Sequence, residues 1–422
     1  MVVRIKQWVW VVLTIALVSS AASVGSPAIA APAWVATWQA SPQPVWGSDF
    51  MFPTHLPAVL KDQTVRQIAR ISVGGQRVRI VLSNTYGIEP VTVGKATVAR
   101  TTVDGSVAGD SMHAVLFNGQ KRAVILPGAS LLSDPVAMHV TPLSQVAVSF
   151  HLPDATAVRS FHWDGRQTGW LVPGDQTEAT RLRMSSQETT TARPLLSGIQ
   201  VETDSPARAV AVIGDSITDG ATASLDQDSR WPDFLAARLA PRGVAVLNAG
   251  ISGARLLSDG MGVNALARLD RDVLSQPGVQ SVIVLLGIND IAWPGTAFAR
   301  DATRPSLDDL TAGYRQLIEQ AHARGVRVVG GTLTPFEGAL PNTPLDDYYN
   351  VNKDALRQAL NAWIRSSGAF DAVIDFDAVL RDPSHPARLA APFDSGDRLH
   401  PGDEGNRAMS DAVDLDALLP SP

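Results

Sequence analysis

A repeated alternation of short apolar segments and amphipathic segments dominates the chain from about residue 207 onward. The apolar segments are strand candidates, and they lie at 208–213, 244–247, 282–286, 326–329 and 373–374. Helical patterns occur between them, the first of these at 231–240. Since parallel strands need long crossover connections, usually helices, this alternation predicts a parallel sheet with helices on both faces.

The best-marked helix follows Ser306. Ser306 and Asp309 have the spacing of a capping box, and Gly325 has the position of a stop signal. Between them an apolar stripe recurs with helical spacing, at Leu310, Tyr314, Leu317, Ile318 and Ala321. The stripe predicts a helix that packs against the core.

Residues 31–192 show a different pattern, with short alternating segments rich in Val, Thr, Gly and Pro. Segments 67–73 and 76–82 alternate on either side of Gly74-Gly75, which predicts a β-hairpin with a two-residue turn. Further strands are expected at 91–100, 122–126 and 145–152. We therefore expect a β-rich, sandwich-like accessory domain at 31–192, a polar linker at 193–207 and a second domain at 208–422.

The first 30 residues have the pattern of a secretory signal peptide. A short basic start is followed by an apolar stretch from Trp8 to Val18 and by Ala28-Ile29-Ala30, a plausible cleavage site. A retained membrane anchor is the alternative, but the apolar stretch is shorter than the ~20 residues that a spanning helix needs. The sequence thus predicts a secreted or periplasmic protein without a stable membrane anchor.

Cysteine content and charge narrow the functional classes. The chain has no cysteine, which excludes disulfides, thiolate nucleophiles, Cys-ligated zinc and iron–sulfur clusters. Its net charge is −6, and removal of residues 1–30, which hold Arg4 and Lys6 but no acid, would make it 33 − 41 = −8. Such a charge argues against nucleic acid as a partner. The sequence does not determine the oligomeric state.

A serine lies just after the first apolar segment of the second domain. The sequence Val212-Ile213-Gly214-Asp215-Ser216 places Ser216 beyond the carboxyl end of a strand, where open α/β sheets bind ligands. Backbone N–H groups at the start of a following helix would lie beside it. Ser216 is therefore either a nucleophile or a helix cap. The segment differs from the Gly-x-Ser-x-Gly pattern, because residue 218 is Thr.

A serine nucleophile needs a base, and His400 is the best candidate among eight histidines. Asp397 lies three residues before it, so its carboxylate can orient one ring nitrogen and leave the other free. The alternatives are a surface loop with a chance Asp-x-x-His, or a metal site. The metal site would consist of Asp394, Asp397, His400 and Asp403.

Two more segments place oxyanion-binding groups at strand ends. Residues 248–253 follow one apolar strand and end at Gly253, and Gly287-Ile288-Asn289-Asp290 follows another. The Gly253 N–H and the Asn289 side-chain amide could converge with the N–H of Ser216 on a developing negative charge.

Together, Gly214-Asp215-Ser216, Gly253, Gly287-x-Asn289-Asp290 and Asp397-x-x-His400 resemble the four sequence blocks of the SGNH, or GDSL, hydrolase family, over residues 208–415. The resemblance implies a flavodoxin-like three-layer α/β/α domain. It implies Ser216 as nucleophile, His400 as base and Asp397 as its orienting residue. Gly253 and Asn289 would be oxyanion donors with the Ser216 amide, supported by Asp215, Gly287 and Asp290, and neither cofactor nor metal would be needed.

Segments 230–233, 269–272, 334–337 and 394–397 further resemble a secreted bacterial subgroup of arylesterases or acylhydrolases, some linked to xylan breakdown. The expected activity is hydrolysis of a small ester, with a short acyl, aryl or acetylated carbohydrate group. A lipase or lysophospholipase activity is one alternative, and a carbohydrate-binding or scaffold protein with an inactive hydrolase fold is another. The tryptophans of the N-terminal half could stack on sugars, but core or interface packing is the preferred interpretation.

Overall fold

Strands fill the N-terminal half in a computed structural model of the chain, which describes residues 33–183, 188–203 and 206–419. The strands are β1 (Ala33–Gln39), β2 (Gln43–Pro44), β3 (Val59–Leu60), β4 (Gln63–Arg70), β5 (Arg77–Ser83), β6 (Val91–Val93), β7 (Ala96–Arg100), β8 (His113–Val115), β9 (Ala123–Ile125), β10 (Ser130–Leu132), β11 (Gln145–Leu152), β12 (Thr156–Ala157), β13 (Ser160–His162), β14 (Gly169–Pro173), β15 (Thr189–Thr190), β16 (Arg193–Pro194) and β17 (Leu196–Thr203).

Two larger sheets of this half share a hydrophobic core. One has the strand order β1-β17-β5-β10, and the other has the order β15-β14-β4-β11-β7-β8. Val78 and Ile80 of β5 and Val146 and Val148 of β11 are buried in the same cluster. Short sheets β12-β3, β16-β13-β2 and β6-β9 lie alongside. The prediction of a β-rich region is confirmed.

The predicted hairpin at 67–82 is wrong. β4 pairs with β11 and β14, whereas β5 pairs with β17 and β10, so the chain crosses between the two sheets here. Gly74 and Gly75 allow close backbone packing instead of a tight turn. A Cβ on Gly74 would lie 2.2 Å from the carbonyl oxygen of Val140, and one on Gly75 would lie 2.3 Å from that of Glu202. Glycine is needed both where a tight turn has a positive φ and where two backbone segments approach closely. The same glycine pair therefore fits either structure in the sequence.

The linker predicted at 193–207 is also wrong over its first part. β17 lies between β1 and β5 and is hydrogen-bonded to both. Its Ile199 and Val201 are completely buried, while Ser197 and Gln200 are half-buried. The polar residues of the alternating strand hid its apolar face in the sequence. Residues 204 and 205 lie outside the described residues.

Five parallel strands form the sheet of the C-terminal half. They are β18 (Ala209–Gly214), β19 (Ala245–Gly250), β20 (Val279–Leu285), β21 (Arg327–Gly331) and β22 (Ala372–Ile374). Their order, β19-β18-β20-β21-β22, is the flavodoxin-like order 2-1-3-4-5. β18 is buried along its whole length, as the apolar run predicts for a strand covered on both faces. The predicted three-layer α/β/α fold is confirmed.

Helices connect these strands and cover the sheet. They are α1 (Ser216–Asp219), α2 (Trp231–Leu239), α3 (Ala265–Leu269), α4 (Ile288–Ala292), α5 (Leu307–His322), α6 (Val351–Ser366), α7 (Phe376–Leu380), α8 (Asp403–Asp411) and α9 (Leu415–Leu418).

The best-marked helix of the sequence, α5, begins as its capping box predicts. Ser306 Oγ accepts a hydrogen bond of 3.1 Å from the Asp309 amide, and the Asp309 carboxylate accepts one of 2.9 Å from the Ser306 amide. The predicted apolar stripe is buried. After α5, Gly325 has a φ of +70°, a left-handed conformation that does not continue a helix.

The two halves of the chain pack through hydrogen bonds and a continuous core. Residues from 33 onward belong to one compact unit, in which β1 packs against β19. Ser72 Oγ donates a hydrogen bond of 2.8 Å to the carbonyl of Val246, and Gln39 Nε2 donates one of 2.8 Å to that of Asp272. The N-terminal strands are therefore part of the environment in which the parallel sheet is stable.

The predicted signal peptide at 1–30 lies outside the described residues. Within the part of the chain that is described, no helix is both long enough and apolar enough to cross a membrane.

We predict that the fragment 206–422 will not form a stable protein. Without β1 the apolar surface of β19 is exposed, and exposed patches of this kind cause aggregation. Size-exclusion chromatography and thermal unfolding should show aggregation or the loss of a cooperative transition. A monomeric fragment with the melting temperature of the full chain would contradict the dependence on the N-terminal strands.

Candidate active site

Ser216 lies at the turn between β18 and α1. Gly214 permits this turn, because a Cβ there would lie 2.1 Å from Thr218 Oγ1 and 3.0 Å from the carbonyl oxygen of Leu285. Asp215, not Ser216, caps the helix: its carboxylate accepts a hydrogen bond of 3.0 Å from the Ile217 amide. The hydroxyl of Ser216 is thus left free for other contacts.

A chain of hydrogen bonds links Ser216, His400 and Asp397. His400 Nε2 lies 2.8 Å from Ser216 Oγ, and His400 Nδ1 lies 2.6 Å from Asp397 Oδ2. The other carboxylate oxygen of Asp397 accepts hydrogen bonds of 2.9 Å and 2.8 Å from the amides of Leu399 and His400. With its carboxylate fixed in this way, Asp397 orients the imidazole ring so that Nε2 faces the serine.

The pKa of Asp397 is consistent with this role. Burial would raise it, but the hydrogen bond and charge of His400 and the two backbone amides lower the pKa to about 2. Asp397 is therefore ionised over the whole neutral range and accepts the Nδ1 proton of His400.

The turn at 251–254, here called the Gly253 turn, lies at the end of β19, the strand next to β18. The Ile251 amide donates a hydrogen bond of 3.1 Å to the carbonyl of Gly214, which joins the turn to the end of β18. Gly253 itself has a φ of +72°, and a Cβ would lie 2.7 Å from Met261 Sδ and 2.8 Å from the ring of Trp293. Both the conformation and the space require glycine.

Asn289 lies in α4, beyond the end of β20 on the other side of β18. Its Nδ2 donates a hydrogen bond of 3.0 Å to the carbonyl of Ala254, directly after Gly253. Its Oδ1 accepts one of 2.6 Å from the hydroxyl of Tyr348. These contacts fix the amide plane and leave the second N–H of Nδ2 available for an oxyanion. The structure thus brings all five predicted catalytic and oxyanion residues to one edge of the sheet.

Comparison with known proteins gives a family for this half of the chain. Residues 212–408 match the family described as GDSL-like Lipase/Acylhydrolase. This half is a GDSL-like lipase/acylhydrolase domain. The protein is therefore a carboxylic ester hydrolase, and the predicted family is confirmed.

Solved structures similar to the chain align with about half of it. A GDSL-like lipase from Bacteroides thetaiotaomicron has 18% identity and a TM-score of 0.35, over 49% of this chain and 85% of its own. An acetyl-xylooligosaccharide esterase from Geobacillus Stearmophilus has 22% identity and a TM-score of 0.34, over 51% and 97%. An acetyl xylan esterase has 20% identity and a TM-score of 0.33, over 48% and 96%. No curated protein matches the chain.

The supporting residues of the GDSL-like domain fix the loops around the site. Gly287, with a φ of +112°, allows the chain to turn from β20 into α4. Asp290 accepts hydrogen bonds of 2.8 Å and 2.9 Å from the amides of Leu256 and Leu257, which follow the Gly253 turn. Burial raises the pKa of Asp290 to about 6.

Arg268 is completely buried and contacts the carboxyl ends of two strands. It donates hydrogen bonds of 2.7 Å and 3.1 Å to the carbonyls of Ala249 and Gly214 and pairs with Asp272 at 3.1 Å. Arg268 thereby binds the carboxyl ends of β19 and β18 together. Asp272 comes from one of the segments that resemble the secreted subgroup, which gives that segment a structural role.

The four residues considered as metal ligands do not converge. Asp394 accepts hydrogen bonds from the amides of Gly396 and Arg398, and Asp403 accepts them from Ser224 and Ser229. Among the described residues there is no group of three or more His, Asp or Glu side chains arranged to hold a metal ion.

Tyr348 and His162 belong to the surroundings of the site, and no local sequence pattern indicates either of them. Tyr348 is 59 residues from the asparagine that it contacts, and it lies outside regular structure. His162 lies in the N-terminal half but contacts Asp219, the last residue of α1. A contact between distant segments leaves no local pattern of spacing.

We predict that Asp215→Asn will change the pH dependence of stability. Burial raises the pKa of Asp215 to about 7, and its Oδ2 has no hydrogen-bond partner. An unfolded Asp ionises near pH 4, so the wild type loses stability as the pH rises from about 4 to about 7, while the amide does not titrate. The unfolding free energy of the variant, relative to wild type, should increase by about 2–3 kcal/mol between pH 5 and pH 8.

Urea unfolding of both proteins at these two pH values measures this difference. Asparagine can leave a buried N–H unpaired, which lowers stability by an amount independent of pH. A difference between the proteins that stays constant from pH 5 to pH 8 would show that Asp215 is ionised throughout.

We also predict that Tyr348→Phe will lower kcat about 10-fold with little change in KM, because Asn289 loses the contact that orients its amide. Asn289→Ala should lower kcat by about 10² to 10³. The double variant should be no slower than Asn289→Ala, since Tyr348 acts through Asn289. The matched control is Tyr349→Phe, because both tyrosines pack on Phe336 but the hydroxyl that contacts Asn289 belongs to Tyr348. Additive losses in the double variant would contradict this role.

Proposed function

We propose that the protein is an exported serine esterase that cleaves carboxylic esters through an acyl-enzyme on Ser216. The observation that carries the proposal is the 2.8 Å contact between Ser216 Oγ and His400 Nε2, with Asp397 behind the ring. A hydroxyl is a weak nucleophile, and a neutral imidazole within hydrogen-bond reach is the group that activates it.

The proposed reaction has two halves. His400 takes the proton of Ser216 as Oγ attacks the ester carbonyl, and the tetrahedral oxyanion accepts hydrogen bonds from the Ser216 and Gly253 amides and the Asn289 side chain. The intermediate then releases the alcohol, which receives the proton from His400. Water, deprotonated by His400, attacks the acyl-enzyme; as the bond to Oγ breaks and the carboxylic acid leaves, His400 returns the proton to Ser216 Oγ. Every proton is carried by His400, so no cofactor is required.

The proposed substrates carry a short acyl group. Met261 and Trp293 pack directly against Gly253, the proposed oxyanion donor, and both side chains are buried. Trp293 is held by stacking on Phe298, with ring centroids 4.5 Å apart. Since these large side chains fill the space beside the oxyanion donor, they favour an acetyl or other short acyl group over a long lipid chain. The alcohol would be an aryl group or an acetylated carbohydrate.

Export is proposed on the pattern of residues 1–30, with cleavage before Ala31. Amino-terminal sequencing of the mature protein from the culture medium or periplasm tests it. The complete chain of hydrogen bonds from Ser216 through His400 to Asp397 argues against the alternative, an inactive hydrolase fold used as a scaffold.

We predict that Ser216→Ala will lower kcat for p-nitrophenyl acetate by roughly 10³-fold or more without loss of the fold. Asp397→Asn should be less damaging than the loss of Ser216 or His400, because the base remains while its orientation weakens.

Rates on p-nitrophenyl esters of increasing chain length, measured beside acetylated xylan, should fall as the acyl chain lengthens.

Circular dichroism of each variant is the control for folding. A folded Ser216→Ala protein that hydrolyses p-nitrophenyl acetate at the rate of the wild type would refute the serine mechanism. Equal or higher rates on long acyl chains would instead favour the lipase alternative.

A further inference from the structure

A buried contact between a histidine and an aspartate joins the N-terminal half to the helix that begins at Ser216. His162 Nε2 lies 2.9 Å from Asp219 Oδ1, and the two residues are only 3% and 2% exposed. Asp219 is the last residue of α1, so a side chain of the β-rich half reaches one helical turn from the proposed nucleophile.

The two ring nitrogens of His162 both face oxygen atoms. Nδ1 lies 3.1 Å from the carbonyl oxygen of Ser41, and Nε2 faces the carboxylate of Asp219. Both contacts hold the imidazole ring in place between the segment just before β2 and α1. Although burial would raise the pKa of Asp219, the charge of His162 and a hydrogen bond from Ser252 hold it below its usual range.

The second oxygen of Asp219 holds the turn that contains Gly253. Asp219 Oδ2 accepts hydrogen bonds of 2.9 Å from the Ser252 amide and 2.8 Å from the Ser252 hydroxyl. Ser252 directly precedes Gly253. The same region is tightly packed, since a Cβ on Gly250 would lie 2.4 Å from the Asp219 amide nitrogen. Asp219 therefore connects His162 to the backbone of an oxyanion donor.

We propose that His162 is a positioning residue for the oxyanion hole: it fixes Asp219, which holds the Ser252-Gly253 turn so that the Gly253 N–H points at the developing negative charge. This inference rests on the proposed function. His162 is suited to the task because β13 is hydrogen-bonded between β2 and β16. In the same region Gln43 Nε2 of β2 donates a hydrogen bond of 2.9 Å to the carbonyl of Met261, which packs on Gly253.

Two neutral amides of different length at position 162 test the proposal in the full chain. The Gln side chain can extend a donor to Asp219, whereas the Asn side chain, one methylene shorter, cannot. His162→Asn should lower kcat for p-nitrophenyl acetate about 10- to 100-fold with KM within about twofold, because a small displacement of an oxyanion donor acts on the transition state. His162→Gln should recover most of this loss.

A trifluoromethyl ketone gives a readout that a general loss of stability does not move. Ser216 Oγ adds to its carbonyl carbon, His400 takes the proton, and the resulting oxyanion occupies the hole. The inhibition constant should rise in His162→Asn by about the same factor as kcat falls. The matched control is Ser72→Ala, which removes a different buried contact between the halves, the hydrogen bond to Val246. It should lower the melting temperature but leave kcat unchanged.

Asp219→Asn provides a second route if His162→Asn does not accumulate as folded protein. It removes the charge that His162 holds, and kcat should again fall while KM stays within about twofold. Unchanged kcat in a folded His162→Asn or Asp219→Asn protein, or a loss of kcat without weaker ketone binding, would overturn the inference. The proposed function fails separately, if Ser216→Ala retains the esterase rate of the wild type.

Discussion

Close approach of backbone at the carboxyl ends of β19, β18 and β20 is the constraint on which this site depends. At Gly214 and Gly250 a single Cβ would lie 2.1 Å from Thr218 Oγ1 and 2.4 Å from the Asp219 amide nitrogen. Only with glycine at both positions can α1 lie directly against the ends of its two strands. Ser216, the Gly253 turn and Asn289 then meet at one edge, because neighbouring parallel strands end together.

Charged groups buried behind this edge hold the arrangement. Arg268 joins the carbonyls of Gly214 and Ala249, near the ends of β18 and β19, to Asp272, and Asp290 holds the loop after the Gly253 turn. Breaking a buried pair by removing one partner typically costs several kcal/mol, since the remaining charge has no compensation. These contacts, together with His162 and Asp219, make the active-site edge a surface built by both halves of the chain.

Local patterns of the sequence predicted the elements but not the contacts between distant segments. Each signal that predicted the fold of the second half spans only a few residues: the apolar runs of β18–β22 and the cap of α5. The same holds for the signals that predicted the candidate site, which are the glycines, the Asn and the Asp-x-x-His at strand ends. The hairpin at Gly74-Gly75 and the linker over β17 were mispredicted because partner strands and buried faces depend on tertiary packing. Tyr348 and His162 act across 59 and 57 residues, where no spacing rule applies.

The proposed mechanism depends on activation of Ser216 by this arrangement of strand ends. Reaction of the full chain with a fluorophosphonate, followed by peptide mass spectrometry, tests it most directly, because the reagent forms a bond with an activated serine oxygen and releases fluoride. We expect one phosphonylated residue, Ser216, and a loss of esterase activity in proportion to labelling. A label on another serine, or full activity after complete labelling of Ser216, would contradict it.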